Sequence, residues 1–149
     1  MMSPSRCLAI VALALSVSSA FAQQTRCSDS EAQRAETVAE MLRSWDALYR
    51  SYKLFRQCDD GSIGEGYSES VARILVDHWN TLSQLSHLAK KDAEFRAFVM
   101  KHVDATLNME DVEKIKQNAN TRCPIGLLMV CGDLAKRADL ALKEDASTP

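Results

Sequence analysis

The chain has 149 residues, with 18 Lys and Arg against 20 Asp and Glu, a net charge of −2. That length suits one domain, and the mild acidity leaves no basic stripe for a nucleic acid to grip. Beyond residue 22 no stretch is apolar enough to span a bilayer, so no membrane span is expected in the processed chain.

The first 22 residues have the order of a secretory signal peptide. Arg6 supplies a positive start, Leu8 to Val17 is an apolar run, and Ala20-Phe21-Ala22 is a small-x-small cleavage site. The run is too short to cross a membrane, which takes roughly 20 apolar residues. Cleavage is expected after Ala22, with a mature start at Gln23 and a periplasmic or secreted location. Only Arg6 leaves among the charged residues, so 17 bases face 20 acids and the net charge becomes −3. Residues 23–145 are expected to form the helical domain, and residues 146–149 a disordered tail.

Ser28 to Gln57 carries the pattern of one long helix. Ser28 and Glu31 have capping-box spacing. Val38, Leu42, Trp45, Tyr49 and Tyr52 then recur at alternating four and three spacing, a single apolar stripe uninterrupted by Gly or Pro. A second helix is predicted from Glu69 to Ala89, capped by Ser68, with Val71, Ile74, Leu75, Trp79, Leu82 and Leu85 inward. Asp92 caps a third, with Phe95, Phe98, Val99, Val103 and Leu107 on its apolar face. Asn108 caps a short fourth around Val112 and Ile115, expected to fray out through residues 118–121. Pro124 suits the first turn of a last helix running to about Glu144, with Leu127, Cys131, Leu134, Ala138 and Ala141 on one face. No stretch alternates with period two. The fold class is therefore all-α, a four- to five-helix bundle-like single domain.

Between the first two predicted helices lies Cys58-Asp59-Asp60-Gly61-Ser62-Ile63-Gly64-Glu65-Gly66-Tyr67-Ser68, with three of the five glycines. About ten residues is long for a bundle connection. Asp59, Asp60, Gly61, Gly64, Glu65, Gly66 and Tyr67 are the candidate partner-binding loop, an acidic projection suited to plugging another protein's cleft. The run lacks the third glycine of a dinucleotide fingerprint and the alternating acids of a calcium loop. No cofactor and no metal are expected.

After export four cysteines remain, Cys27, Cys58, Cys123 and Cys131, an even count that reads as disulfides. A straight helix over residues 28–57 would hold Cys27 and Cys58 about 45 Å apart, and a helix over 124–131 would hold Cys123 and Cys131 about 12 Å apart. Bridged Cα atoms lie within roughly 7 Å. Those distances conflict with two bridges unless residues 27–36 are extended and fold back along the first helix, the last helix starts later, or Cys27 stays unpaired. The expectation is that Cys58 bridges to Cys123 or Cys131. His78, His87 and His102 have no metal or catalytic spacing and read as surface or edge residues. No serine sits in a G-x-S-x-G turn. Catalysis is the weaker class.

A small exported helical chain with a Cys closing the first long helix, a Gly-rich turn, and a late Cys123-Pro124-Ile125-Gly126 resembles the periplasmic immunity proteins that neutralise type VI secretion amidase effectors. The likeness is architectural and covers about residues 38 to 135. It implies a non-enzymatic inhibitor, possible as a homodimer, that binds and blocks a secreted cell-wall hydrolase. The alternatives from composition are an acid-stress periplasmic chaperone or another secreted helical protein.

Overall fold

The computed structural model describes residues 26–147; the signal-peptide reading of residues 1–22 and the last two residues of the expected tail lie outside them. Seven α-helices follow in order: α1 (Asp29–Ala39), α2 (Trp45–Phe55), α3 (Gly61–Asp77), α4 (Leu82–Lys91), α5 (Ala93–Lys101), α6 (Met109–Thr121) and α7 (Leu128–Ser147). Short 3-10 turns at Arg56–Cys58 and Trp79–Thr81 join them, and the described residues hold no strand. The all-α expectation is met, with more and shorter helices than the periodicity suggested. None of these helices is long and apolar enough to cross a membrane.

The expected Ser28–Gln57 helix is two helices. Its capping box is present, with Ser28 Oγ accepting from Glu31 N and the Glu31 carboxylate accepting from Ser28 N. The chain then turns at residues 40–44 without Gly or Pro. Side chains take the carbonyls that a continuing helix would have used. Ser70 donates to the Ala39 carbonyl, and Arg43 and Arg73 both donate to that of Glu40. Ser44 restarts the helix by accepting from Ala47 N, with Asp46 in the first turn where an acid suits the dipole. The stripe from Val38 to Tyr52 is thus two apolar faces folded against each other.

That fold-back decides the cysteines. Cys27 is bridged to Cys58 across 31 positions, Cα to Cα 4.9 Å, and Cys123 to Cys131 at 6.0 Å. The expected Cys58 link to Cys123 or Cys131 is incorrect, because α1 runs back along α2 and α3 and returns Cys27 to Cys58. The second bridge closes because α7 starts at Leu128, so residues 124–127 turn instead of rising along an axis. Leu127 N donates to the Pro124 carbonyl, and Gly126 takes a left-handed φ of 84°.

The core lies where α2, α3 and α5 meet. Leu48, Tyr67, Val71, Ile74, Leu75, Phe95 and Val99 are fully enclosed. Tyr52, Phe95, Phe98 and Tyr67 form a chain of stacked, tilted and edge-on ring contacts 4.9–6.2 Å between centroids. Asp92 and Asn108 cap α5 and α6 as expected, by accepting from Phe95 N and Glu110 N. Helix α6 reaches Thr121 without fraying, since Asn118 and Ala119 are buried. Helix α7 is laced to α5 by Arg137, whose guanidinium donates to the Met100 and Val103 carbonyls, and by an Arg96–Asp133 ion pair. It continues through Ala146 and Ser147, two residues into the expected tail.

Candidate functional sites

The glycine-rich stretch is not a projecting loop. Asp60 is the N-cap of α3, and residues from Gly61 onward are its first turns. Gly61 has a φ of 52°, the only glycine of the three that needs left-handed backbone. Gly64 and Gly66 serve close approach instead: a Cβ on Gly64 would meet Asp59 Oδ1 at 3.3 Å, and one on Gly66 would press into the end of α1. Tyr67 is wholly buried, with its hydroxyl 2.9 Å from Ser51 Oγ. Burial, opposed by that hydrogen bond, pushes the Tyr67 hydroxyl above its ordinary range. Gly66 is buried with it, which leaves Asp60, Gly61 and Glu65 as the exposed members of the predicted set. Ser68 sits inside α3 and caps nothing.

Asp59 turns inward. Its Oδ2 takes Lys101 Nζ at 2.8 Å, and its Oδ1 faces His102 Nε2 at 3.2 Å. His102 is thus a core residue, 2% exposed, and the expectation of a surface or edge position is corrected. Its other nitrogen, Nδ1, is 2.9 Å from Ser68 Oγ, and Ser68 donates to Asp104 Oδ2 at 3.0 Å. Burial alone would raise the Asp59 carboxyl, but His102 and Lys101 outweigh it and hold it below the usual range. Sequence distance hid this cluster, since Asp59, Ser68 and His102 come from three different segments. Asp59, His102 and Ser68 have the composition of a hydrolytic triad. Yet Ser68 is 2% exposed and passes its proton to Asp104 instead of the histidine, so no substrate reaches it. Among the described residues no group of three or more His, Cys, Asp or Glu is placed to hold a metal ion.

The outward-facing feature lies at the second disulfide. Between Cys123 and Cys131 the chain presents Ile125 at 104% exposure, Leu128 at 76% and Met129 at 74%. Three large apolar side chains on one covalently closed turn form the kind of surface that monomeric proteins seldom leave uncovered. Beside it is a small cleft of about 140 Å³ lined by Ala89, Lys90, Arg96, Leu127, Met129 and Val130. Trp79 props the base of this turn by donating from Nε1 to the Arg122 carbonyl at 2.9 Å. The sequence signal was present in Pro124-Ile125-Gly126-Leu127-Leu128-Met129, but a helical reading of these residues assigned Leu127 to a buried face and overlooked the others.

These features define a class: an all-α domain carrying two disulfides, with a buried Asp–His–Ser cluster and an apolar turn on its surface. No protein-family model, curated protein or solved structure matches the chain.

Proposed function

We propose that this is an exported binding protein of the immunity type, which blocks a cell-wall-cleaving enzyme in the periplasm. The observation that carries the reading is the Cys123–Cys131 turn, where Ile125, Leu128 and Met129 stand in solvent on a short covalently closed segment. A turn already held in shape loses little conformational freedom on binding, which favours affinity. Two disulfides fit an oxidising compartment, and the N-terminal apolar run fits export. The class of partner rests on the resemblance to amidase immunity proteins at Cys123-Pro124-Ile125-Gly126, since the long first helix and the glycine-rich turn that accompanied it are replaced by two helices and the first turns of α3. The contact surface differs from the one first expected: Tyr67 and Gly66 are enclosed, and the apolar turn takes their place.

The test is affinity capture from a cell-envelope extract, followed by titration of the captured enzyme's peptidoglycan-cleaving activity. The chain should retain a cell-wall hydrolase and inhibit it. Ile125→Asp and Met129→Asp should each weaken inhibition by about thirtyfold or more, the effect of losing a central anchor worth roughly 2 kcal/mol. Their melting temperatures should match the parent's, because both side chains are already exposed. Capture of no cell-wall enzyme, or undiminished inhibition by both variants, would remove this reading.

A further inference from the structure

The two side-chain atoms within hydrogen-bond distance of the His102 ring nitrogens, Ser68 Oγ and Asp59 Oδ1, have no proton to offer it. The Asp104 carboxylate accepts from Thr106 N at 2.8 Å and from the Thr106 hydroxyl, and its remaining oxygen takes the Ser68 proton. A serine has one proton to give. With that proton on Asp104, Ser68 Oγ must accept from His102, so Nδ1 carries a hydrogen. On the other side of the ring, Nε2 faces Asp59 Oδ1 at 3.2 Å, short of good hydrogen-bond alignment, and neither atom has another partner. Asp59 is itself anionic, since its second oxygen takes the Lys101 ammonium. A bare Nε2 would set one lone pair against another inside the protein, whereas a proton there satisfies both atoms.

We propose that His102 is a buried imidazolium, protonated on both nitrogens, and that it acts as a proton-dependent latch holding the end of α5 to the Cys58–Asp59 corner. The groups that face it are few. Asp59 comes from the link before α3, Ser68 and the Tyr67 ring from α3, and the Phe98 ring and Lys101 from α5. Asp104 follows α5, and from α7 Arg137 is fixed on the carbonyls of Met100 and Val103, on either side of His102 in sequence. Two carboxylates and a hydroxyl thus frame the ring. Loss of its proton leaves Asp59 Oδ1 and Nε2 as two opposed acceptors beside a disulfide, and the corner loosens. The latch is closed at neutral pH and in weak acid, where Asp59 is still ionised, and opens as the pH rises.

Nitrogen NMR on histidine-labelled protein tests this without any core variant. His78 and His87 are exposed and serve as internal references, and a His78→Gln/His87→Gln variant assigns the His102 signals. At pH 7 both His102 nitrogens should give signals in the protonated range, read against the exposed histidines. In Asp59→Asn, which removes the anion opposite Nε2, the Nε2 signal should leave that range at a lower pH than in the parent. An unprotonated Nδ1 would mean that Ser68 donates to the ring, and an unprotonated Nε2 would mean a bare acceptor pair. Either result at neutral pH overturns the proposal, as does an unchanged titration in Asp59→Asn.

Discussion

A β-carbon built on Gly66 would lie 3.0 Å from the β-carbon of Ala39. The end of α1 therefore rests directly on the α3 backbone, and the adjacent Ala39 and Glu40 carbonyls are taken by Ser70 and Arg73 of the same helix. Gly66→Ala should be destabilising despite its better helix propensity. Crowding a packed contact costs about 1–3 kcal/mol, and the propensity gain returns about 1 kcal/mol. The nearby Glu40 side chain can swing away, but Ala39 and the Glu40 amide, 3.3 Å off, cannot. Chemical denaturation should show a net loss of up to roughly 2 kcal/mol.

The two disulfides should differ in weight. In the chain-entropy model the Cys27–Cys58 bridge, closing 31 positions, is worth roughly 3–4 kcal/mol, and the Cys123–Cys131 bridge, closing 8, roughly 2–3 kcal/mol. Paired Cys→Ala variants compared by denaturant melts should rank in that order. Non-reducing peptide maps should show these two links and no Cys58–Cys123 or Cys58–Cys131 species.

Trp79 tests how the apolar turn is supported. It is 6% exposed and hydrogen-bonded to the carbonyl just before Cys123. Trp79→Ala should cost about 3–5 kcal/mol through the cavity it opens. Trp79→Phe keeps most of the volume but drops the donor, so it should cost about 1 kcal/mol for the hydrogen bond alone. A calorimetric scan of both variants separates packing from hydrogen bonding at this position.

Asp59 makes stability fall on the acid side. Its carboxyl is held below its ordinary range by His102 and Lys101, against the opposing effect of burial. A carboxyl depressed in the folded state adds stability that is fully present above its unfolded value, near 3.9, and is lost as the pH falls through its folded value. Asp59→Asn should remove about 1–3 kcal/mol at neutral pH. It should also flatten the acid limb of the stability curve. Urea melts of parent and variant at a series of pH values between about 2 and 6 should therefore converge toward the acid end.

Much of the helical content was legible in one dimension. Ser28, Asp92 and Asn108 cap the helices they were expected to cap, because a cap is a contact between a side chain and a backbone amide two or three residues away. The break after Ala39 was not legible from the apolar stripe, which continues through it. Its causes sit on α3, in Ser70, Arg73 and Gly66, some thirty residues downstream. A local clue existed in Ser44, with Asp46 in the turn that follows, but an unbroken periodicity outweighed it. The glycines misled in the opposite direction. Three in six residues suggest a loop, and here two of them are helical positions where another backbone or a buried carboxylate needs the room.

By itself the sequence determined that this chain would be helical, would bury its Trp, Phe and Leu stripes, and would carry paired cysteines, since periodicity, capping and composition act over a few residues. Tertiary structure decided which cysteines meet, that His102 lies in the core opposite Asp59, and that Ile125, Leu128 and Met129 face solvent. Those outcomes depend on where helices turn back. The turns are set by carbonyls captured from distant side chains and by backbone contacts that only a folded chain contains.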